Sequence, residues 1–393
     1  MSRKFVVPAL GAALTLALAL PASAEQKITT QGISDGEIKI GIHLDLSGPI
    51  TMFGVPQRNG HIMRVEEQNA KGGVQGRKIT LIIEDNGYDP KKGVLATQKL
   101  IQQDKVFALV GVLGTAVFIP SMQIALDEGI PFIFPGTNSR VAFEPFNPLK
   151  FAMGAPYDSQ IKTGVKYFAE QMKKKKIGIV YQDDDFGKSI RDAAMEQAKI
   201  EKVEVVGAES YKRGDTSFSS QVANLQRDGA DLIVLGTVPR EAAGVMTEVA
   251  KLGWKVDALA NAGVCAQATV TLGKEAVEGL YIQCQYVPFD PEHETPIVQD
   301  WIKRYEERFK IKADVAAATT YDMEDMIIMA FDRAGRDVTA QKFLAGLESI
   351  KNYQDIFGTP VQNFGPDKHI GTEGFVLLQV RGGKFERVIS FGG

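Results

Sequence analysis

The residues best placed for binding chemistry lie in Val110–Val117, which is Val-Gly-Val-Leu-Gly-Thr-Ala-Val. The apolar run Val106–Val110 predicts a buried strand, and the apolar spacing of Phe118–Asp127 predicts a helix. Gly114 allows a sharp turn between them, and Thr115 stands where a helix N-cap would be. Such a corner can hold an anion on free backbone N–H groups at the positive end of the helix dipole. The alternative is that Thr115 only caps its own helix.

A second segment has the composition of a phosphate site but not its spacing. Phe186–Ser189, Phe-Gly-Lys-Ser, is similar to the end of a phosphate-binding loop. Gln182 stands where that motif needs glycine, and the acidic run Asp183–Asp185 would repel phosphate. The segment is therefore not expected to bind a nucleotide.

Other enzyme and metal motifs are missing from the sequence. It has no Gly-x-Ser-x-Gly motif of the kind that hydrolases use. Its four histidines, His43, His61, His293 and His369, lack metal-ligand spacing, and we expect each to lie at the surface or in a hydrogen-bonded core position. Carboxylates are plentiful, and spacing alone does not exclude a glycosidase. We expect a protein that is not an enzyme and that has no metal and no cofactor.

The first 24 residues have the organisation of a secretory signal peptide. Arg3 and Lys4 form a basic start, Phe5–Leu20 is mostly apolar, and residues 22–24 end in Ala-x-Ala. No later stretch is apolar enough to span a membrane. The sequence therefore predicts an exported protein located in a periplasm.

Charge, length and cysteine content narrow the class further. Without its signal peptide the chain has 43 basic and 48 acidic residues and no basic stripe, which argues against nucleic-acid binding. Its length exceeds one ordinary domain and predicts two. Cys265 and Cys284 are the only cysteines, and in an oxidising compartment they form one disulfide or remain two buried thiols.

Strands and helices alternate through the first part of the chain. We expect strands over Ser34–His43, Lys78–Glu84, Val106–Val110 and Pro131–Phe134, with helices over about Val55–Ala70, Pro90–Gln103 and Phe118–Gly129. This alternation is typical of βαβ units and of a parallel sheet covered by helices.

The same pattern begins again in the second part of the chain. Lys176–Ile179 repeats the strand pattern of Ile38–Ile42, and a loop that ends in Phe-Gly follows each, at Phe53 and at Phe186. The repetition predicts two similar lobes that face each other. The remaining predicted elements are strands over Val203–Ser210, Asp231–Leu235, Leu259–Ala260 and Leu280–Val287, helices over Ser217–Gln226, Glu241–Leu252, Thr295–Lys310, Asp314–Ala334 and Ala340–Ile350, and a hairpin over Phe375–Ile389.

Several of these segments together resemble the periplasmic leucine/isoleucine/valine-binding proteins. The resemblance lies in Ile38–Gly54, with Ser-Gly-Pro and Phe-Gly, in Asn69–Lys78, in residues 84–90, with Glu-Asp and Asp-Pro, and in Tyr181–Ser189. It implies the type I periplasmic binding fold, with two α/β lobes of doubly wound parallel sheet joined by three crossover strands. Proteins of this family are substrate-binding components of ABC importers and close on a ligand between their lobes.

The resemblance also implies where the lobes divide. We place the crossovers near Phe151–Pro156, Gln283–Asp290 and Phe357–Phe364. The first lobe is then 25–152 plus 288–358, and the second lobe is 153–287 plus 359–393.

In that family the ligand carboxylate lies on the loops after the third and fourth strands. The matching positions are Thr115, beside Gly114, and the segment that contains Gly136 and Thr137. Hydroxyl and backbone N–H groups from two loops can hold a carboxylate without a buried cation.

The half of the site that holds the ammonium group departs from the family pattern. Family members that bind α-amino acids use a glutamate and tyrosines, and these positions fall on Ala262 and on Val238, Phe186 and Phe53. An ammonium group buried without an acceptor would cost several kcal/mol. Phe53 and Phe186 would instead form apolar jaws, or belong to the core of each lobe, and Tyr157 could hydrogen-bond a polar end of the ligand.

These observations predict a monomeric solute-binding protein that delivers a small apolar or aromatic carboxylate to a membrane permease. One alternative is a branched-chain amino-acid-binding protein in which an acid such as Asp184 replaces the missing glutamate. Two others are the ligand-sensing domain of a signalling system and an exported enzyme.

The signal peptide gives the first testable prediction. Cleavage after Ala24 should leave a protein that begins at Glu25, because the Ala-x-Ala ending is the cleavage motif. Intact mass spectrometry of the exported protein tests this. A mass that retains Met1–Ala24 would contradict the predicted export.

Overall fold

The computed structural model describes residues 1–2, 27–290 and 293–392. Residues 3–24 of the predicted signal peptide, and the predicted N-terminus Glu25, lie outside the described residues. Within the described part of the chain, no helix is long and apolar enough to cross a membrane.

Residues before position 152 form a parallel sheet of five strands in the order β2-β1-β3-β4-β5. The elements in chain order are β1 (Glu37–Leu44), α1 (Thr51–Ala70), β2 (Lys78–Asp85), α2 (Pro90–Gln102), β3 (Ala108–Val110), α3 (Thr115–Asp127), β4 (Phe132–Ile133) and β5 (Lys150–Phe151). The three central strands β1, β3 and β4 are short or almost wholly buried, as expected for a sheet with helices on both faces.

The second sheet has seven strands in the order β12-β11-β10-β9-β8-β6-β7. Its elements up to β10 are α4 (Tyr157–Glu170), β6 (Lys176–Gln182), α5 (Asp185–Glu201), β7 (Glu204–Tyr211), α6 (Ser219–Arg227), β8 (Leu232–Gly236), α7 (Pro239–Lys251), β9 (Asp257–Ala260), α8 (Gln267–Gly273) and β10 (Tyr281–Cys284). Strands β6 to β10 are parallel, and the hairpin of β11 (Phe375–Arg381) and β12 (Lys384–Phe391) extends the sheet in antiparallel fashion.

Three helices between β10 and β11 return to the first sheet. They are α9 (Pro296–Phe309), α10 (Val315–Ala334) and α11 (Ala340–Glu348). Helix α10 packs along α1 and also contacts α11. The two parallel α/β halves and their order agree with the predicted fold class.

The chain passes between the sheets three times: between β5 and α4, between β10 and α9, and between α11 and β11. In the last connection, Phe364 still packs on Phe134 and Phe151 beside the first sheet. A parallel bridge then joins Ala152 to Ile370 before the chain enters β11. The lobe boundaries given above remain predictions.

The first turns of two helices differ from the expected loops. Helix α1 begins at Thr51 rather than at Val55, so Phe53 lies in its first turn, and Phe186 lies in the first turn of α5. The glycine after each phenylalanine explains the repetition. A Cβ at Gly54 would lie 1.8 Å from the Asp45 carbonyl oxygen, and one at Gly187 would lie 2.1 Å from the Gln182 carbonyl oxygen. Each Phe-Gly pair thus lets a helix start close against the preceding strand while the phenylalanine points away from that strand.

A disulfide joins Cys265 to Cys284. Cys284 is the last residue of β10, and Cys265 follows the short 3-10 turn Ala262–Val264 that comes after β9. Because β9 and β10 are paired neighbours, the bond fixes this turn to the adjacent strand end.

The disulfide predicts the outcome of thiol labelling and of its removal. Denatured, unreduced protein should react with no thiol reagent. A Cys265→Ser/Cys284→Ser variant should lose about 3 kcal/mol of unfolding free energy, the chain-entropy value for a loop of about 20 residues. Denaturant titration measures this loss, and wild-type protein with reductant serves as the control. Two labelled thiols per unreduced chain would refute the bridge.

Candidate ligand-binding site

A cavity of about 150 Å³ opens where the carboxyl ends of the two sheets face each other. In open parallel sheets this edge is the usual position of a ligand. The sequence-predicted ligand residues all line it: Phe53, Gly114, Thr115, Gly136, Thr137, Tyr157, Phe186, Val238 and Ala262. The fold thus brings together segments that are up to 209 residues apart, and their role in binding remains a prediction.

The hydroxyl groups of Thr115, Thr137 and Tyr157, called the hydroxyl cluster below, form one wall. The Oγ1 atoms of Thr115 and Thr137 are 2.7 Å apart, and the Tyr157 hydroxyl is also hydrogen-bonded to Thr137. All three side chains are buried. Burial raises the pKa of Tyr157, so its hydroxyl keeps its proton at neutral pH and can donate it in a hydrogen bond.

Helix α3 supplies backbone donors at the same place. Its N-cap is Gly114, not Thr115 as the sequence suggested, and the Thr115 side chain makes no capping hydrogen bond. The Gly114 carbonyl accepts the N–H groups of Val117 and Phe118, whereas those of Thr115 and Ala116 have no acceptor within the helix. The Thr115 hydroxyl is therefore not used for capping, and it pairs with Thr137 in the cavity wall beside the positive end of the helix dipole.

The phenylalanines give the cavity its apolar surfaces. Phe186 is buried, and its ring lies edge-on to Tyr157 with centroids 5.3 Å apart. Phe53 is half-buried and reaches the cavity from α1 on the opposite side. Each ring thus comes from a different half of the fold, as the sequence analysis predicted.

The remaining predicted residues lie on the wall formed by the second sheet. Val238 is the N-cap residue of α7, and Ala262 begins the 3-10 turn that Cys265 ties to β10. Both present only small apolar side chains, so this wall offers no charged partner to a ligand.

Among the described residues, none that lines the cavity is an aspartate, glutamate, lysine or arginine. Asp184, the candidate acceptor for an ammonium group, is used elsewhere. It caps α5 by accepting the N–H groups of Phe186 and Gly187, and it forms an ion pair with Arg213 at 3.4 Å. A second buried acid, Glu241, pairs with Arg240 at 2.6 Å outside the cavity.

Sequence analysis missed several lining residues because their positions depend on contacts between distant segments. They include Ile50, Gln57, Tyr88, Met153, Gln285, Tyr286, Thr319 and Met323. Gln57 lies one helical turn beyond Phe53, a spacing that could have identified it. Ile50 precedes α1 and Tyr88 lies in the loop after β2, whereas the remaining positions are set by the crossing connections and by the first turns of α10.

Tyr88 joins the two halves at the edge of the cavity. Its hydroxyl accepts a hydrogen bond from Gln182 Nε2 at 3.0 Å, and its carbonyl oxygen accepts one from Arg213 Nη1 at 2.6 Å. The Arg213 guanidinium also lies over the Tyr88 ring. These contacts hold the loop after β2 against the second sheet, as in a closed conformation.

The histidines and the phosphate-loop-like lysine serve structural contacts. His43 is hydrogen-bonded to Thr97, and burial lowers its pKa to about 3. The other three histidines pair with Glu324 (His61), Asp290 (His293) and Glu348 (His369). Lys188 pairs with Asp183 at 2.9 Å. In the described ranges, no cluster of three or more histidine, cysteine or acidic residues could hold a metal ion.

Two curated relatives cover most of the chain. An "Amino acid binding protein" of Pseudomonas aeruginosa is 28% identical over 67% of this chain and 70% of its own length. The Leu/Ile/Val-binding protein of Citrobacter freundii is 27% identical over 63% of this chain and 67% of its own length. Both names describe binding proteins rather than enzymes.

Solved structures share the fold at lower sequence identity. A branched-chain amino acid ABC transporter protein from Thermus thermophilus with bound valine has a TM-score of 0.83 at 17% identity, covering 92% of this chain and 98% of that one. A fatty acid ABC transporter substrate-binding protein from Thermomonospora curvata has a TM-score of 0.81 at 24% identity, covering 94% and 95%. A solute-binding protein from R. palustris in complex with benzoate has a TM-score of 0.78 at 22% identity, covering 90% and 96%.

The sequence also matches the family model described as "Periplasmic binding protein" over residues 37–384, which is most of the chain. This match, the Leu/Ile/Val-binding relatives and the shared two-sheet fold agree with the resemblance found in the sequence. The chain belongs to the periplasmic binding protein family.

Proposed function

We propose that this protein binds a small apolar or aromatic carboxylate in the periplasm and delivers it to the membrane permease of an ABC importer. The observation that supports this most directly is the composition of the cavity wall. The hydroxyl cluster and the N-terminus of α3 lie at one side of the cavity, and its described lining residues include no aspartate, glutamate, lysine or arginine.

A carboxylate suits the hydroxyl cluster for reasons of both charge and geometry. The hydroxyl groups of Thr115, Thr137 and Tyr157 can each donate one hydrogen bond, and the first N–H groups of α3 add further donors. Hydrogen bonds to an ionised acceptor are about twice as strong as neutral ones. The dipole of α3 adds a favourable interaction with negative charge.

The rest of the cavity favours an apolar body without an ammonium group. A cavity of about 150 Å³ accommodates one benzene-sized ring. Phe53 and Phe186 can contact such a ring from opposite sides. The ammonium group of leucine would lie in the same cavity without a carboxylate partner, because Asp184 and Glu241 are engaged outside it.

The curated relatives are named for amino acids, whereas the solved structures of this fold differ in their ligands. Proteins with this fold hold valine in one case and benzoate in another, and a third is named for fatty acids. All three ligands carry a carboxylate with an apolar body, which agrees with the proposed class. The choice among valine, benzoate and a fatty acid depends on cavity side chains, and these differ between proteins of such low sequence identity.

Delivery to a permease follows from a shift between open and closed conformations. A ligand that contacts both halves stabilises the closed one, and the permease then recognises that state. The contacts of Tyr88 with Gln182 and Arg213 would form only on closure, since they join the two halves.

Calorimetric titration with benzoate, benzamide and leucine tests the proposed ligand class. Benzoate should bind more tightly than leucine by about ten- to a hundredfold, because one unpaired charged hydrogen-bonding group costs about 1.5–3 kcal/mol. Thr115→Val should weaken benzoate binding by a similar factor, whereas Thr115→Ser should retain most of it. Thr271→Val, on the exposed face of α8, is the matched control.

Two results of that titration would contradict the proposal. If benzamide binds as tightly as benzoate, the hydroxyl cluster does not hold a carboxylate. If leucine binds most tightly, the protein is an amino-acid-binding protein and the argument from the missing acceptor is wrong.

The apolar wall gives a separate prediction. Phe186→Ala should weaken benzoate binding about tenfold or more, because it removes roughly one ring face of contact area. Binding of isobutyrate, which has no ring, should fall less. Phe146→Ala, at an exposed position far from the cavity, is the control, and melting temperatures show whether each variant folds. Equal losses for both acids would mean that Phe186 only supports the fold.

A further inference from the structure

Two amide groups in the cavity wall lack hydrogen-bond partners. Oε1 of Gln57 and Nε2 of Gln285 are buried and have no partner among the described residues. Buried polar atoms in native proteins are almost always hydrogen-bonded, so each of these atoms requires an explanation. Neither belongs to the hydroxyl cluster described above.

The main chain around Gln57 is fixed by the packing of α1 on α10. The side chain is 7% exposed, and it follows Ile50 and Phe53 along the cavity-facing side of α1. Its carbonyl oxygen accepts the Thr320 hydroxyl of α10 at 2.8 Å. The amide is therefore presented from a rigid helix pair of the first half.

Gln285 is held at the start of the connection between β10 and α9. Its side-chain amide lies against Gly154 in the first connection, where a Cβ would fall 1.3 Å from Nε2. Only glycine at position 154 leaves room for this arrangement. The disulfide of Cys284 constrains the main chain just before Gln285.

We infer that the bound acid carries a second, neutral polar group remote from its carboxylate, and that this group is a hydroxyl bound by Gln57 and Gln285. A hydroxyl both donates and accepts, so it can donate to Gln57 Oε1 and accept from Gln285 Nε2. This inference rests on the proposed function, because it assigns the ligand's other end to the hydroxyl cluster.

A charged second group does not fit this position. The described lining residues include no acid or base that could pair with an ammonium group or a second carboxylate. A methyl group would leave both amide atoms unpaired. The ligand class is therefore a hydroxylated aromatic or apolar acid rather than a plain one.

Calorimetric titration of the wild-type protein with three sets of benzoates tests the inference. The sets are benzoate itself, its 2-, 3- and 4-hydroxy derivatives, and the matching methyl derivatives, which have similar size. At least one hydroxybenzoate should bind about ten- to a hundredfold more tightly than benzoate and than its methyl counterpart, because the latter leave buried polar atoms unpaired.

Substitutions then assign the preference to residues. Gln57→Leu and, separately, Gln285→Leu should each lower the preference for the hydroxy acid over the methyl acid severalfold, because each removes one of the two hydrogen bonds. The double variant Gln57→Leu/Gln285→Leu should bring the preference to near unity. Gln123→Leu, an exposed glutamine on α3, should leave the preference unchanged. Melting temperatures identify any variant that fails to fold. The titration of the wild-type protein with the three sets of benzoates does not depend on the variants.

Three results overturn the inference. If every methyl derivative binds as tightly as its hydroxy counterpart, an ordered water satisfies the amides and the ligand needs no hydroxyl. If both glutamine variants weaken the binding of all the benzoates equally, the two amides support the structure of the cavity wall and do not bind a hydroxyl. If no benzoate of any set binds, the proposed ligand class itself fails, a result distinct from the first two.

Discussion

The hydrogen bond between the Thr115 and Thr137 hydroxyl groups is the contact on which the site depends. Strands β3 and β4 are parallel neighbours, and a bridge between Leu113 and Gly136 continues their pairing into the loops. The two threonines therefore meet at the carboxyl edge of the sheet at 2.7 Å. Without a ligand one threonine hydroxyl donates to the other, whereas a bound carboxylate would accept a hydrogen bond from both. This arrangement is the basis of the proposal that the wall holds a carboxylate.

The proposed selectivity depends on Asp184, a buried acid close in sequence to the cavity residue Phe186, being used for structure. Asp184 accepts the Phe186 N–H at 3.1 Å, so the residue that could have neutralised an ammonium group instead fixes the start of α5 and the ring that α5 presents. Burial raises the pKa of Asp184, while hydrogen bonds and Arg213 oppose that rise. The ion pair of Asp184 with Arg213 lies outside the cavity, so the Phe186 ring can line an apolar wall. An acid inside the cavity would instead favour a ligand with a cationic group.

The sequence predicted the periodic features well and the long-range ones poorly. Strand β1 and helix α10 were placed to within a few residues because their apolar periodicity is strong. The residue identified as the N-cap, Thr115, is instead the first helical residue, because Gly114 adopts φ 96° and takes the capping position. The start of α1 was predicted at about Val55, whereas the helix begins four residues earlier, at Thr51.

In the candidate site, too, the residues near strand ends were predicted and those placed by long-range contacts were not. Thr115, Thr137 and the two phenylalanines follow strand ends, which sequence patterns locate, and all four line the cavity. Gln285 could not be found in this way. Its place depends on the room that Gly154 leaves, and residues 131 positions apart carry no local signal of such a contact.

The two amides also explain why ligand and closure could be coupled. Gln57 belongs to α1 on the first sheet, whereas Gln285 directly follows β10 of the second sheet and is tied to it through Cys284. A ligand held only by Thr115 and Thr137 would bind the first half without favouring closure. A ligand shifts a conformational equilibrium only by its difference in affinity for the two states. A group shared by Gln57 and Gln285 would add to that difference, as contacts of the ligand with Phe53 and Phe186 would, because each pair draws on both halves.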